Sequence, residues 1–541
     1  MGYVLGVDIG TQGIKGVLLD EAFSVAAKAY LEHDYIQPRP NWFEHDAEKT
    51  WWGGFKEIVH QLLKKAPISS SEIIGVGYSA IAPCMLPVDE DGRPLRNAIL
   101  YGVDTRSQKE IIEIRQLLGE ERILEITKKP LGTDHIPPKI LWYKRNEPDN
   151  YSKTKRIFTA SNYITYKLTG RFLLDYTQAP GFGPVYDFGK KQWNGEMCKL
   201  LGFSSDLLPE LKHCYDIAGT VTPRASAETG LMQGTPVVVG SGDWATELIS
   251  AGGFGPEEVT LIYGTTAIVS MITDRAPSGK GLSFSPHPIL ENCFFANGGT
   301  STMGALTKWF RDNFGDLEKI MQDRAGINAY TLLSCQAEKI PVGAEGLVIL
   351  PYFSGERAPI YDPLAKGVIL GLTTYHKRAH LYRALLEGTA YSLRHNLEVF
   401  NKCGFDVSRV IACGGGANSN LWVQIVGDVI GYDQSIPNIP IGSDIGSAYL
   451  AAKGTGLIGD LASFITHRRQ KDARTVRADP QNHARYTDYY RIYRRLYESV
   501  KSDMHALAEL AENHMGKIPE GHEGEVSDLT RGRILPKNRG G

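Results

Sequence analysis

A carboxylate beside a glycine-containing turn near the start of the chain is the first arrangement that could do chemistry. In GVDIGTQGIK, residues 6–15, Asp8 ends a run of β-forming residues and the turn follows it. Backbone N–H groups of such a turn can point at an anion, and an acid beside them suits a phosphate if Mg²⁺ lies between the two. The alternative is an ordinary hairpin with a surface lysine. The residues that could hold the phosphate and its metal ion are Asp8, Gly10, Thr11, Gln12 and Lys15.

Two later turns have compositions that suit a nucleotide. LIYGTTA, residues 261–267, could close on the phosphates from the opposite side, although taken alone it is simply a turn. CGGGANSNLW, residues 413–422, would let backbone lie flat against a ligand while Asn418 or Asn420 contacts a base or ribose, although many α/β proteins have such a turn without a ligand. No GxxxxGK[ST] sequence occurs, which excludes a P-loop. The candidate nucleotide contacts are Gly264, Thr265, Thr266, Gly415, Gly416 and Asn420.

Asp243 lies in a turn after a predicted buried strand, in VVVGSGDWA, residues 237–245. It could direct a carboxylate at a substrate as a general base, or it could cap the helix that follows. GSGDWA also satisfies GxGxxA, the loosest dinucleotide-binding pattern. We reject that interpretation because an acid inside the loop would repel a pyrophosphate and no N-terminal Rossmann unit surrounds it. From these residues alone, the base and the cap both remain open.

Specific elements must position these residues. YVLGVDIG and IKGVLLD predict a β-hairpin around the first turn, and EEVTLIYGTTAIVSMIT predicts a second hairpin of the same design. This similarity at long separation suggests two related domains. A helix is predicted with Asp46 as its N-cap, and residues 106–170 are predicted to be mostly helical. SDIGSAYLAAKG predicts a helix of small residues that packs closely against another element.

Length and composition narrow the remaining classes. A chain of 541 residues is too long for one hydrophobic core, and a net charge of −2 without a long basic run argues against nucleic acid as a partner. The seven cysteines contain no C-x-x-C pair, which favours reduced thiols over disulfides or zinc. With no signal-like leader and no run of about eighteen apolar residues, we expect a cytoplasmic protein without a membrane span. From about His514 to residue 541 the composition predicts a disordered tail.

The order of the three turns carries a resemblance over residues 3–500. DxGT, then GTT, then GGGAxSxxW, with segments such as PNWFEHDAEKTWW, PKILWYKRNEP and LPYFSGERAPIYDPLAKGVILGL, resemble the FGGY family of carbohydrate kinases within the actin-like ATPase superfamily. The resemblance implies an α/β fold of two ribonuclease-H-like domains, residues 1–250 and 251–500, with an interdomain cleft. It implies transfer of the terminal phosphoryl group of ATP to a small-molecule sugar or polyol hydroxyl, and it suggests a homodimer.

The resemblance also assigns roles position by position. Asp243 matches the catalytic base and Asp8 the acid near Mg²⁺, and both carboxylates are expected at the metal ion. The turns at 10–15 and 264–266 match phosphate positions, while 415–420 would lie along the adenosine. The expected acceptor contacts are Ser79, Ala80, Tyr101, Asp104, Asp243 and Trp244, with Gln178 as a further contact.

Three departures from xylulokinase-like members fall where acceptor hydroxyls would be bound. VGYSAIAPCMLPVD has neither a Gln-Met-His nor a Gln-Gln-His element, Trp244 replaces the usual Asn, and W-x-D-x-R becomes YGVDTR. Trp244 could be a platform for a sugar face or could pack between the domains. The leading hypothesis is a ketose kinase acting on a pentulose such as D-xylulose. The alternatives are kinases of erythritol, ribulose, gluconate or an autoinducer-2-type molecule, and an actin-fold ATPase that works as a switch.

Overall fold

The predicted first hairpin begins a seven-stranded mixed sheet in the computed structural model, which describes residues 2–255, 257–275 and 281–515. Its strands are rich in Val, Ile and Leu, which fit a pleated and buried surface. They are β1 Tyr3–Ile9, β2 Gly13–Leu19, β3 Val25–Glu32, β4 Ile73–Ala80, β5 Ile217–Thr220, β6 Pro236–Val238 and β7 Ser241–Gly242. The order across the sheet is β5-β6-β4-β1-β2-β3, with β7 also paired to β4.

The predicted second hairpin begins another seven-stranded sheet. Its strands are β8 Glu258–Tyr263, β9 Ala267–Thr273, β10 Ser283–Pro286, β11 Phe294–Thr300, β12 Arg409–Cys413, β13 Gln434–Pro437 and β14 Ala473–Val476. Their order is β10-β11-β9-β8-β12-β13-β14. Every residue of β8 is buried, as expected for a central strand covered on both faces.

The two sheets repeat one topology. In the first, β1 pairs antiparallel with β2 and parallel with β4, and β4 pairs parallel with β6. In the second, β8 pairs antiparallel with β9 and parallel with β12, and β12 pairs parallel with β13. A final antiparallel strand, β5 or β14, closes each series. The outer strands β3 and β11 also pair antiparallel with β2 and β9. The duplication suggested by the two hairpins therefore extends over five strands of each sheet, because β5 precedes β6 in the chain whereas β14 follows β13.

Helices cover the sheets and fill the region between them. The helices that precede the second sheet are α1 Gly54–Lys65, α2 Gln108–Leu118, α3 Glu120–Thr127, α4 Ile136–Asn146, α5 Pro148–Lys153, α6 Ala160–Thr169, α7 Gly195–Leu201, α8 Pro223–Thr229 and α9 Asp243–Ala251. Those that follow are α10 Gly304–Phe314, α11 Asp316–Ala325, α12 Ala329–Ala337, α13 Arg378–Lys402, α14 Asn420–Ile430, α15 Ser443–Gly454, α16 Leu461–Lys471 and α17 Pro480–Met515. The predicted start at Asp46 is confirmed, because its side chain accepts from Lys49 N at the π-helical turn Ala47–Gly53 that precedes α1.

Within the residues that the structure describes, five short strand pairs and five 3₁₀ turns complete the fold. The pairs are Glu44–His45 with Ala98–Ile99, Leu86–Val88 with Arg156–Phe158, Leu173–Asp175 with Glu210–Lys212, Tyr186–Asp187 with Gln192–Trp193, and Val348–Leu350 with Val368–Leu370. The 3₁₀ turns are Ser70–Glu72, Ala179–Phe182, Ser205–Leu207, Ala344–Gly346 and Gly415–Asn418.

The small-residue helix α15 joins the two halves of the chain. It follows the second sheet's β13, yet it packs on β1 and β4 of the first sheet and against α9. A Cβ on Gly77 of β4 would lie 2.0 Å from Ser447 O, and one on Gly446 would lie 1.9 Å from Thr246 O. The predicted close packing is therefore present, and it requires glycine where backbones meet. Segments 1–250 and 251–500 remain our proposed domains in sequence, although α15 lies on the first sheet.

Two further expectations concern the ends of the chain and membranes. Helix α17 reaches Met515, so His514 and Met515 are helical, and the rest of the predicted tail, residues 516–541, lies outside the described residues. Among the described residues, no helix has the length and apolar character needed to cross a bilayer.

The substitution Gly77→Ala is expected to destabilise the protein because its Cβ would overlap a carbonyl oxygen of α15. Overpacking of this kind lowers the free energy of unfolding by about 1–3 kcal/mol. We expect a value near the upper end of this range because the new Cβ would meet backbone, which cannot move as a side chain can. Urea unfolding measures the change. The control is Gly459→Ala, whose Cβ would meet nothing within 4 Å, and equal midpoints for the two variants would contradict the close approach.

Candidate active site

Parallel pairing brings Asp8 and Asp243 to one edge of the first sheet. Asp8 of β1 is opposite Ser79 of β4, and Ser79 is opposite Ser241 of β7. Asp243 begins α9 directly after β7. The carboxyl ends of parallel strands are where ligands bind in sheets of this type, so the two acids lie at the edge where chemistry is expected.

Both carboxylates have raised pKa values. Burial is the main cause for Asp8, the Asp243 carboxylate adds to it, and the pKa is raised to about 8 even though Ser79 Oγ donates to Asp8 Oδ1 at 2.8 Å. Burial also raises the pKa of Asp243 to about 7, with Glu247 adding to the shift and the Trp244 N–H, 2.8 Å from Oδ1, opposing it. A base is most effective when its pKa is close to the working pH, so Asp243 has suitable acidity.

Lys15 lies among four acids at this edge. Lys15 Nζ is 4.0 Å from Asp8 Oδ2 and its side chain is half exposed. Burial lowers its pKa, but the carboxylates of Asp8, Glu247, Asp444 and Asp243 reverse this and leave the pKa raised. The sequence analysis missed Glu247 and Asp444. Glu247 follows Asp243 by one helical turn, a spacing that could have revealed it, whereas Asp444 comes from α15 and gave no local signal.

Backbone hydrogen bonds fix the conformation of the two predicted phosphate turns. In the first, Gly10 N donates to Gly13 O at 2.9 Å, while Gln12 and Lys15 are exposed. In the second, the carbonyls of Gly264 and Thr265 accept hydrogen bonds from the start of α10, and Thr265 is exposed. Both turns therefore have exposed residues that a phosphate could reach.

The glycine-rich turn after β12 is open on one side. Gly414 has φ +89° and lies against Tyr263 backbone, whereas a Cβ on Gly415 would meet nothing within 4 Å. Gly416 packs against the rings of Tyr263 and Trp422. Asn420 Oδ1 accepts from Arg474 Nη1 at 2.8 Å, and Arg474 Nη2 also donates to Ala417 O at 3.0 Å. Arg474, which sequence reasoning missed, thus holds the segment proposed for adenosine.

Three expected acceptor contacts lie inside the protein. Ser79, Ala80 and Asp104 have no exposed surface. The Ser79 hydroxyl is bonded to Asp8, and Ala80 lies within β4. Asp104 accepts hydrogen bonds from Phe43 N and the Arg106 guanidinium. The burial of all three residues, and the pairing of the Ser79 and Asp104 side chains, do not favour direct contact with an acceptor, and their role as acceptor contacts stays a prediction.

The side chain of Gln178 also makes hydrogen bonds within the protein. It is buried, and its amide group bonds to Asp175 and Ser161. Asp175 in turn accepts from Ser241 Oγ at 2.8 Å, two residues before Asp243. Burial raises the pKa of Asp175 to about 6. This network supports the strand that carries Asp243 rather than offering groups to an acceptor.

Tyr101 and Trp244 stay at the edge of the cleft. The hydroxyls of Tyr101 and Thr11 share a hydrogen bond of 2.9 Å, and Tyr101 has its pKa raised by burial and also by the nearby Asp243 carboxylate. The Trp244 ring packs edge-on against Phe295 of β11 at 5.7 Å between centroids. Trp244 therefore contacts the second sheet, as its packing interpretation predicts, and its side chain is partly exposed.

Lys139 is a further buried cation near these residues. Its Nζ donates to Thr133 O and His135 O, and burial lowers its pKa to about 8. The segment PKILW contributed to the resemblance, but nothing in the spacing singled out Lys139. Among the described residues, no group of three or more His, Cys, Asp or Glu side chains is arranged to hold a metal ion.

The duplicated sheets and the edge at which Asp8 and Asp243 meet have the arrangement of the actin-like ATPase fold. Residues 3–250 match the model of the FGGY family of carbohydrate kinases, N-terminal domain, and residues 259–455 match that of its C-terminal domain. The chain belongs to the FGGY family of carbohydrate kinases. The predicted fold class, family and enzyme class are thereby confirmed.

Similar proteins include kinases of different sugars. The xylulose kinase of Bacillus subtilis (strain 168) is 29% identical over 95% of this chain and 100% of its own length. The gluconokinase of the same organism is 26% identical over 84% of this chain and 88% of its own. The crystal structure of xylulose kinase from Rhodospirillum rubrum superimposes with a TM-score of 0.81 at 28% identity, covering 93% of this chain and 100% of that one.

The pKa values of Asp8 and Asp243 predict the pH dependence of stability without metal. The folded state keeps protons on these acids up to about pH 7–8, whereas the unfolded chain releases them near pH 4. The folded state thus binds more protons between these limits, and stability falls as pH rises through them. We expect a loss on the order of 2 kcal/mol between pH 5 and 8, measured by urea unfolding with a chelator. Asp8→Asn should remove most of this loss.

The surface variant Asp91→Asn, which changes an exposed acid, is the control and should retain the wild-type slope. A wild-type protein whose stability is constant or rises over this range would contradict the proposed electrostatic strain at the sheet edge.

Proposed function

We propose that this kinase transfers the terminal phosphoryl group of Mg-ATP to a hydroxyl of a ketose, a pentulose such as D-xylulose, with Asp243 as the general base. The observation that carries the proposal is the position of Asp243. It is a partly exposed carboxylate with a pKa of about 7, at the carboxyl edge of the first sheet and close to Asp8.

The residues of the chain divide the work of the reaction. The turns at 10–13 and 264–266 would hold the phosphates of ATP, Lys15 would neutralise phosphate charge, and Gly415, Gly416 and Asn420 would lie along the adenosine. Asp243 would accept the proton of the acceptor hydroxyl as its oxygen attacks. Closure of the two domains would exclude water from the phosphoryl group.

Asp8 and Asp243 fit a role at magnesium. Both are carboxylates, the ligand type that Mg²⁺ prefers, and because burial raises both pKa values, a nearby cation would favour their ionised forms. Mg²⁺ would neutralise the charge that develops on the phosphates. Since it usually keeps water and phosphate oxygens as ligands, two protein carboxylates suffice.

For the molecule that accepts the phosphoryl group, there are two candidates. The similarity to xylulose kinases along nearly the whole chain supports a pentulose. The gluconokinase relatives favour gluconate as the second candidate. The remaining alternatives from the sequence are erythritol, ribulose, an autoinducer-2-type molecule and a sugar-independent ATPase switch. A homodimer and a cytoplasmic location stay predictions.

A substrate panel separates these candidates. The pure protein is incubated with Mg-ATP and, in turn, pentuloses, hexuloses, alditols and aldonates, and ADP formation is followed. We expect the highest kcat/KM with a pentulose and little ADP without an acceptor. A highest kcat/KM with gluconate would replace the acceptor assignment, and ADP formation that no acceptor stimulates would favour the switch.

The substitution Asp243→Asn is expected to reduce kcat by roughly 10²-fold or more, the usual effect of removing a general base. ATP affinity, measured by calorimetry, should be kept, because the phosphate turns lie elsewhere. Asp91→Asn is the matched control and should retain wild-type kcat. Wild-type turnover in the Asp243→Asn protein would remove Asp243 from this role.

A further inference from the structure

A buried histidine contacts the first phosphate turn from behind. His45 lies on the short strand Glu44–His45 and has no exposed surface. Both neighbours fix its backbone: the Glu44 carboxylate is paired with Arg106 at 2.7 Å, and Asp46 caps the next helical turn. The imidazole is therefore held in place before any contact of its own is considered.

The hydrogen bonds of the ring define its protonation. Trp51 Nε1 is 3.0 Å from His45 Nδ1. An indole N–H can only donate, so Nδ1 must be the unprotonated acceptor. The proton of the neutral ring then lies on Nε2, which donates to Thr11 O at 3.1 Å. Burial lowers the pKa of His45 to about 4, in agreement with a neutral ring.

This contact orients a peptide group of the turn. The C=O of Thr11 and the N–H of Gln12 belong to one trans peptide plane and point in opposite directions. Because His45 holds the Thr11 carbonyl towards the protein interior, the Gln12 N–H points away from it. Within the part of the chain that the structure describes, this N–H donates to no protein group. The next carbonyl, Gln12 O, is likewise tied back by His33 N at 3.1 Å.

The second phosphate turn achieves the same orientation by other means. There Gly264 O accepts from Gly304 N at 2.9 Å, and Thr265 O accepts from Ala305 N at 3.0 Å. These donors belong to the first turn of α10. The backbone N–H groups at a helix N-terminus thus bind the carbonyls of the second turn, as His45 binds the Thr11 carbonyl in the first. Two turns that share a design thus have their carbonyls held back by unrelated groups.

We propose that His45 is a positioning residue for phosphate binding, whose neutral imidazole, oriented by Trp51, holds the Thr11 carbonyl inward so that the Gln12 N–H faces the phosphate of the nucleotide. This inference rests on the proposed function and extends it to a residue that does not itself reach the substrate. Tyr101 reaches the same threonine through its hydroxyl, so Thr11 is held at both its carbonyl and its side chain.

The test compares His45→Leu, which removes the donor, with His45→Gln, whose amide can donate to Thr11 O and accept from Trp51. For His45→Leu we expect ATP affinity by calorimetry to fall about tenfold or more, the scale of one unpaired buried polar group. KM for ATP should rise equally, and KM for the sugar should not change. His45→Gln should recover most of the affinity. Trp51→Phe, which frees the tautomer, should lie between.

The control His60→Leu changes an exposed histidine of α1 and should behave as wild type. Urea unfolding of each variant confirms that the measured protein is folded. A folded His45→Leu protein with wild-type affinity for ATP, or a His45→Gln protein no better than His45→Leu, would overturn the positioning role. Failure of the proposed function is a different result: wild-type protein that binds ATP but phosphorylates no acceptor leaves the His45 comparison intact, because calorimetry needs ATP alone.

Discussion

The backbone contact between α15 and the first sheet is the constraint on which the site depends. Glycines at 6 and 77 let the helix approach β1 and β4 so closely that a Cβ at either position would lie 2.0 Å from a helix carbonyl. The approach brings residues of the chain's second half to the catalytic edge. Ser447 Oγ donates to Ser79 Oγ at 3.0 Å, and Ser79 in turn donates to Asp8. Helix α15 is thus connected through the Ser79 hydroxyl to Asp8, the acid proposed for magnesium.

The close approach of α15 to the first sheet also brings acidic residues together. Asp444 at the start of α15 joins Asp8, Asp243 and Glu247 around Lys15, and burial raises the pKa of all four acids. Because burial raises these pKa values in spite of Lys15, ionising the acids at this edge costs free energy, and that cost is an electrostatic strain in the folded protein without a cation. Such strain is common where a site is built for a ligand rather than for stability. A bound cation would reduce this electrostatic strain. Cation binding would therefore also stabilise the folded protein.

Local patterns in the sequence predicted those parts of the site that short segments determine. The hairpins around Gly10–Thr11 and Gly264–Thr265, the strand before Asp243 and the N-cap at Asp46 all follow from residues close together in the chain. The contacts that short segments did not reveal involve partners far away in sequence. Ser79 is bonded to Asp8, 71 residues earlier, and Asp104 to Phe43 N, 61 residues earlier. Asp444 and Arg474 were missed for the same reason. Spacing within a segment of sequence does not show which distant segment will pack against it.

Trp244 connects the strand end that precedes Asp243 with the second sheet. A Cβ on Gly242 would lie 3.0 Å from Trp244 Nε1 and 3.4 Å from Ala82 Cβ, so the indole fills space that small residues of the first domain leave open. Its other contact is Phe295 of the second sheet. The hydrogen bond to the Asp243 carboxylate comes from the backbone N–H of Trp244, so the main chain holds the proposed base and the indole ring takes no part in that bond. The edge-on contact with Phe295 is what the packing interpretation of Trp244 predicts, and its role as a platform for a sugar face stays a prediction.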